Sequence, residues 1–171
     1  MLTPLLRLGA AFLVIGGALL TGVSAFADAE QVAAEVEGLW ATGGSLLQVS
    51  QRNGTLSMTV VALEEPFDGS GEPLKDLENP DKALRGRPIL GMNLLSDYTF
   101  SGKRWEGKIY DPETGSVYSS RVKLKDGLLE MRGYIGTPFL GKTKKFKPIS
   151  ACRPDMLVML QNSKMAGYCG L

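Results

Sequence analysis

The residue types that carry most enzyme chemistry are scarce in this sequence. Its 171 residues include no histidine and only two cysteines. Histidine-dependent triads, dyads and metal sites are therefore excluded, and two cysteines are too few for a four-cysteine zinc site. Asp111, Glu113 and Tyr118 are the best remaining polar candidates for a ligand or a cation. Because Asp111 to Gly115 has the composition of a turn, we expect Asp111 to cap that turn, and we predict no catalytic residue, cofactor or metal.

Polar side chains that are able to bind a ligand also occur beside a glycine near the C-terminal end. Arg132 and Tyr134 flank Gly133 in a segment of strand-like alternation. A glycine inside a strand indicates either local curvature or the close approach of a ligand. The segment 142–147 then holds four lysines, which together with Arg121, Lys123 and Lys125 predict a solvated basic face. Anionic envelope lipid is the alternative partner of that face.

The first 27 residues are typical of a signal peptide. Arg7 precedes an apolar run from Leu8 to Val23, and Ala25-Phe26-Ala27 is a small-x-small cleavage pattern. An uncleaved anchor is the alternative, but a run of about 16 residues is short for a bilayer, which needs about 20. We therefore expect a periplasmic or secreted protein that begins at Asp28. It would carry 18 basic and 18 acidic residues, a balance that argues against a nucleic-acid partner.

The segment 38–149 alternates between apolar and polar residues with a period of two. Turn signals such as Asn53-Gly54 and Asp126-Gly127 separate the alternating runs. About eight short strands joined by hairpin turns predict an all-β fold, an antiparallel lipocalin-like barrel within a domain of residues 28–149. One apolar face per strand should line its interior. The inward side chains that could contact a ligand are Met58, Val60, Trp105, Ile109, Tyr118 and Met131.

A long polar segment from Glu65 to Pro88 interrupts this pattern. It contains Asn79, Asp81 and Arg85, which are candidates for ligand or partner contacts, and one helical turn is expected near 81–84. Loops of this length inside a compact domain are often lids or binding loops. A solvated connection is the alternative.

Both ends of the predicted barrel carry short additional elements. Val32, Ala33 and Val36 have helical spacing, which predicts a short N-terminal helix between residues 28 and 37. The C-terminal tail, residues 150–171, contains Cys152 and Cys169. In an oxidising compartment they would most simply form a disulfide, with free or intermolecular thiols as the alternative. We expect an amphipathic turn or two after Pro154, packed over the barrel.

The triplet Gly38-Leu39-Trp40 stands at the start of the first strand. We predict a structural role, in which Gly38 allows close backbone packing and Trp40 plugs one end of the barrel. A basic side chain of the last strand would cover the indole. The candidates for that contact are Lys142, Lys144, Lys145 and Lys147.

An ordered series of motifs runs through residues 36–149. It comprises Trp40, Asn79-Pro80-Asp81, Arg85-x-Arg87-Pro88-Ile89-Leu90-Gly91, Trp105-x-Gly107-x-Ile109-Tyr110-Asp111-Pro112-x-x-Gly115-x-x-Tyr118 and Arg132-Gly133-Tyr134-x-Gly136. This series resembles domain-of-unknown-function family 2147. The resemblance implies an exported bacterial protein with a lipocalin-like barrel, and it implies no established activity. Phe146-Lys147 departs from the expected aromatic-arginine pair, and lysine stacks on an indole less well than arginine.

These observations lead to three functional hypotheses. The first is a non-enzymatic periplasmic protein that binds a small apolar or amphipathic ligand inside the barrel. The second is a cell-envelope interaction protein with a filled barrel, which binds through its basic face or through Asn79, Asp81 and Arg85. The third is an enzyme that relies on carboxylates such as Asp111 and Glu113, which their place in a turn disfavours.

Overall fold

The computed structural model describes residues 33–149 and 154–163. The predicted signal peptide, both cysteines and most of the predicted N-terminal helix lie outside these ranges. None of the helices within them is long and apolar enough to cross a membrane.

The described residues form an antiparallel all-β barrel, as the sequence predicts. Its strands are β1 (Gly38–Thr42), β2 (Ser45–Arg52), β3 (Thr55–Leu63), β4 (Leu95–Phe100), β5 (Trp105–Asp111), β6 (Ser116–Lys125), β7 (Leu128–Tyr134) and β8 (Lys142–Pro148). Two short 3-10 helices, Lys82–Leu84 and Pro138–Leu140, and one α-helix, α1 (Pro154–Asn162), complete the described elements. The first 3-10 helix lies where one helical turn was predicted, because the Asp81 side chain caps it by accepting from Ala83 N.

The strands follow one another around a single sheet in the order β3-β2-β1-β8-β7-β6-β5-β4. Pairing between β1 and β8 joins the first strand of the barrel to the last. The segment 91–94 then joins the outer strands β3 and β4: Val60 N donates to Met92 O at 3.0 Å, and Leu94 N donates to Met58 O at 2.9 Å. The sheet is therefore a nearly closed barrel.

The two ends of the barrel differ in how they are covered. At one end, here the plugged end, the Trp40 indole donates to Val36 O at 2.9 Å and the Trp105 indole donates to Ala33 O at 3.1 Å. The N-terminal segment 33–37 is thus fixed across this end. The other end, here the loop end, carries the β1–β2 turn, the long segment 64–94, the β5–β6 turn and the β7–β8 connection.

Within the described residues the α-helix is C-terminal and not N-terminal as predicted, and most of the predicted N-terminal helix lies outside them. Ala33 and Ala34 are helical, but the chain turns at once into β1, and residues 28–32 lie outside the described ranges. In contrast, Met156 and Leu160 of α1 pack on the outer apolar side chains Leu46 and Val61. This outer cluster stabilises the C-terminal helix against the barrel wall.

The sequence predicts a last strand from Phe139 to Ile149, but the observed strand is shorter. It begins at Lys142, because residues 138–140 form a 3-10 helix instead. Arg132 stabilises that helix, with its Nε donating to Pro138 O at 2.7 Å and its NH2 group donating to Phe139 O at 3.0 Å.

Candidate functional site

Most of the barrel interior, including the plugged half, is filled by its own side chains. Of the predicted ligand contacts, Met58, Val60, Trp105 and Met131 are buried in one apolar cluster. The other buried members of this cluster include Trp40, Leu47, Val49, Leu56, Leu95, Tyr98, Val122, Leu129 and Phe146. Beside Trp105 and Val36 there is a cavity of only about 30 Å³, which has room for about one water molecule.

The loop half of the interior is less completely filled. Ile109 and Tyr118 lie directly opposite each other on β5 and β6 and are half-buried. On β7, a Cβ atom built on Gly133 would meet only Tyr118 Cβ within 4 Å, at 3.8 Å. The predicted contacts Ile109 and Tyr118 are therefore at the loop end, where the absence of a side chain at Gly133 leaves space beside them.

The register of β7 and β8 places two lysines on the inner side of the barrel wall. Leu129 and Met131 pair with Phe146 and Lys144, and Gly133 pairs with Lys142. Directly opposed residues of antiparallel strands point to the same face of the sheet. Since Leu129, Met131 and Phe146 belong to the interior cluster, Lys142 and Lys144 lie on that face too.

These two lysines are nevertheless exposed to solvent. The pairing of β8 with β1 is restricted to Lys147 and Pro148, so residues 142–146 have no β1 partner. The barrel wall is thus incomplete at this position, and water reaches its inner face. Among the described residues, neither Lys142 nor Lys144 forms an ion pair within 4.0 Å, whereas Lys145 on the outer face lies 3.3 Å from Glu130.

One polar pair is enclosed in the interior. The Tyr98 hydroxyl and the Ser120 hydroxyl are hydrogen-bonded, and both side chains are buried. Burial raises the pKa of Tyr98 to about 12. Gly107 lies beneath the Tyr98 ring: a Cβ at this position would fall 2.4 Å from Tyr98 Cδ2, so the ring requires a glycine on β5.

A second polar cluster, here the Asp76 cluster, fixes the long loop to the outside of β5. The Asp76 carboxylate is completely buried. It accepts hydrogen bonds from the Tyr110 hydroxyl at 2.5 Å, from Asn79 Nδ2 at 2.7 Å and from Arg87 Nε at 2.8 Å. Arg87 also lies over the Tyr110 ring, 5.4 Å from its centroid.

The electrostatics of the Asp76 cluster follow from these contacts. Burial by itself raises the pKa of Asp76, but hydrogen bonds from Tyr110, Asn79 and Arg87 outweigh it, so the pKa is lowered. Burial and the neighbouring Asp76 carboxylate raise the pKa of Tyr110. Every oxygen of the carboxylate is thus occupied by the protein itself, and the cluster is a structural clamp.

The loop residues that the sequence singled out are also engaged in local contacts. Asn79 Oδ1 accepts from Asp81 N at 2.9 Å, and Arg85 Nε donates to Asn79 O at 2.7 Å. The backbone of the segment is tied across itself, for example by Asp76 N donating to Arg87 O at 3.0 Å. The long segment therefore lies as an ordered strap against β5.

The remaining predicted site residues lie on the outer wall or in a turn. Arg132 pairs with Thr143 on the outer face, and Tyr134 lies there beneath Arg121, whose guanidinium carbon is 5.6 Å from the ring centroid. In the β5–β6 turn, Asp111 Oδ1 accepts from Glu113 N at 3.1 Å and Oδ2 accepts from Thr114 Oγ1 at 3.1 Å. The structure does not bring these residues together with Ile109 and Tyr118 in one pocket.

The contact expected between Trp40 and a lysine of the last strand is not formed. Within residues 33–149 and 154–163, the cation–π contacts are those of Arg87 on Tyr110 and of Arg121 on Tyr134. The four candidate lysines are all exposed. The residue opposite Trp40 in β8 is Pro148, and the polar edge of the indole is occupied by Val36 O.

Sequence reasoning did not assign a site role to Asp76, Arg87 and Tyr110, and it assigned Lys142 and Lys144 only to a basic face or to a contact with Trp40. Asp76 lies in a polar stretch with no local signal, whereas Arg87 and Tyr110 stand inside the motifs quoted above. Lys142 and Lys144 were visible only as part of a basic run, and the alternation within 142–147 could have separated inner from outer lysines. Within the described ranges, no group of three or more acidic, cysteine or histidine side chains is placed to hold a metal ion.

The fold and the site define an eight-stranded antiparallel barrel of the lipocalin type. A similar solved structure is protein HP1028 from the human pathogen Helicobacter pylori, described as belonging to the lipocalin family. The two chains are 26% identical with a TM-score of 0.58, over 74% of this chain and 88% of the other. A comparison with curated proteins found no significant match. Residues 38–147 match the family described as uncharacterized protein conserved in bacteria (DUF2147), and the chain belongs to this family.

Proposed function

We propose that this protein is a non-enzymatic binder of one small amphipathic molecule with an acidic head group, held at the loop end of the barrel. The observation that carries the proposal is the β7–β8 register, which puts Lys142 and Lys144 on the inner face where the wall is incomplete. An exposed ammonium group beside a partly filled apolar interior is complementary to a ligand with an anionic end and an apolar end.

The proposed ligand occupies the loop half alone, because the plugged half is already packed. Its apolar part lies against Ile109, Tyr118 and the space at Gly133, and its acidic group faces Lys144. The part of β8 that lacks a β1 partner, residues 142–146, spans four residue steps. This is about 13 Å at the usual rise of a strand. This length suits a short acyl chain or a molecule of similar size.

The similarity to a lipocalin supports ligand binding as the general class. The expected signal peptide supports a periplasmic or secreted location, and that location would allow Cys152 and Cys169 to form the proposed disulfide. In this proposal the protein carries or stores its ligand outside the cytoplasm and needs neither a cofactor nor a metal.

The test is a fluorescence titration with the anionic apolar dye 1-anilinonaphthalene-8-sulfonate, followed by displacement with octanoate or with 1-octanol. We expect saturable one-site binding and tighter displacement by octanoate than by the alcohol. Lys144→Gln should weaken octanoate binding about fivefold, since a solvent-exposed ion pair contributes about 1 kcal/mol.

Two further variants make the titration specific. Lys147→Gln is the matched control, because Lys147 is exposed on the same strand but lies on its outer face opposite Ala41; it should leave the affinity unchanged. Gly133→Leu fills the proposed space and should remove binding of dye and octanoate alike. Equal affinities in Lys144→Gln and Lys147→Gln, or unchanged binding in Gly133→Leu, would contradict the proposal.

A second candidate function is a cell-envelope interaction protein without an internal ligand. The close packing of the plugged half favours it. Its test is capture from an envelope extract by the wild type and by Arg85→Ala. Reproducible capture of one partner that is lost in Arg85→Ala, together with a lack of saturable dye binding, would support this candidate over the first.

A further inference from the structure

The β7–β8 connection presents an apolar tip to solvent at the loop end. Ile135, Phe139 and Leu140 are 76%, 86% and 75% exposed, the highest values among the large apolar side chains of the described residues. They stand within six positions of one another. Val117 on the neighbouring strand β6 is 56% exposed at the same end of the barrel. Adjacent exposed apolar side chains of this size indicate an interaction surface.

This tip is held in one conformation by hydrogen bonds to its backbone. The 3-10 helix Pro138–Leu140 is capped by Thr137, and Gly141 N donates to Pro138 O at 3.1 Å. Arg132 supplies the other donors, with its NH1 group bonded to Thr143 Oγ1 at 2.9 Å and its remaining nitrogens bonded to the carbonyls of Pro138 and Phe139. The carbonyls of Pro138 and Phe139 are thus satisfied, which lowers the cost of placing this turn in a poorly hydrated environment.

The charge of the segment that carries the tip is of one sign. Residues 131–149 contain Arg132 and four lysines and no acidic residue, although the basic and acidic residues nearly balance over the whole chain. Lys142 and Lys144 have no acidic partner among the described residues. Exposed Phe, Leu and Ile side chains next to unpaired lysines are the combination that binds the interface of an anionic membrane.

We propose that the tip Ile135–Leu140 inserts into the interface of an anionic phospholipid bilayer, with the neighbouring lysines on the lipid head groups. The β7–β8 connection would then contact the membrane, and the acidic long loop at the same end would stay in water. This docking uses apolar side chains outside the barrel, whereas Lys142 and Lys144 serve both proposals. A soluble ligand such as octanoate tests the interior without vesicles.

The test is a vesicle flotation assay with protein purified from the periplasmic fraction, whose N-terminus is confirmed by mass. The vesicles contain either phosphatidylethanolamine and phosphatidylglycerol or phosphatidylcholine alone. We expect binding to the anionic vesicles, weaker binding at high salt, and little binding to phosphatidylcholine. Phe139→Ser should reduce partitioning about tenfold, as loss of a partly inserted aromatic side chain predicts. Leu77→Ser is the matched control, because Leu77 is 63% exposed on the long loop.

A direct readout of insertion comes from Phe139→Trp. Trp40 and Trp105 are both buried, so a blue shift of emission on adding anionic vesicles would come from position 139. Circular dichroism melting would verify that each variant is folded. The proposal is overturned if the wild type does not float, if Phe139→Ser and Leu77→Ser float as the wild type does, or if the emission is unchanged. Self-association lost in Phe139→Ser without any flotation would also overturn it and would assign the tip to contacts between copies.

Discussion

The Asp76 cluster allows a quantitative prediction of how the long loop is held to the barrel. Asp76→Asn keeps the shape of the side chain but removes its charge, and it sets an amide NH2 group against donors from Tyr110, Asn79 or Arg87. Breaking a fully buried pair costs about 3–5 kcal/mol. Because the Arg87 side chain is 38% exposed, we expect the lower limit, about 3 kcal/mol. The melting temperature should fall by roughly 10 °C for a domain of this size.

The assay is guanidinium unfolding followed by the fluorescence of the two buried tryptophans. Asp97→Asn is the matched control, because Asp97 is exposed and has a φ of 57°, which asparagine tolerates equally well. The folded pKa of Asp76 lies below its ordinary value of 3.8, so its stabilisation is present above about pH 4 and is lost as the pH falls through the folded pKa. Unfolding free energies of wild type and Asp76→Asn should therefore converge in acid. A difference below about 1 kcal/mol near pH 7, or one independent of pH, would refute the clamp.

Three further predictions concern the packing of the barrel. Gly115→Ala should destabilise the fold by about 2–4 kcal/mol in thermal unfolding, because its φ is 65° and the new Cβ would lie 1.9 Å from Glu78 O; a change within 0.5 kcal/mol would contradict this close approach. Trp40→Ala should cost about 3–5 kcal/mol in the same assay, since the ring is buried in the interior cluster. In a spectrophotometric titration one tyrosine, Tyr98, should ionise only near pH 12. Ser120→Ala removes the hydrogen bond that lowers the pKa of Tyr98, so this pKa should rise further in the variant. Because its folded pKa exceeds the ordinary 10.0, the associated stability is present below pH 10 and lost above it.

Much of the barrel could be predicted from the sequence because its signals are local. Alternation of apolar and polar residues fixes which side chains are inward, and Asn53-Gly54 and Asp126-Gly127 occur at hairpin turns with positive φ. The predicted start of the last strand was wrong, because the contact that sets it is not local in the sequence. Arg132 on β7 takes the carbonyls of Pro138 and Phe139, and this contact depends on how β7 and β8 pair.

The candidate site was less predictable, because it depends on the register and on the completeness of the barrel wall. Period-two alternation correctly put Met58 and Trp105 on the inner face, but it contains no information on how tightly that interior is filled. The exposure of Lys144 on the inner face follows from β1 ending at Thr42, which leaves the first half of β8 paired with β7 alone. Asp76 was missed because a carboxylate in a polar loop gives no sign in the sequence that it will be buried.

The most direct test of the proposed ligand site is a methyl NMR titration of the folded protein with octanoate. The account predicts saturable shifts for Ile109 and Met131, which line or border the loop half, and none for Val49 and Leu56 in the plugged half. These shifts should disappear in Gly133→Leu. An absence of saturable shifts, or shifts of the same size in both halves, would contradict binding at the loop end.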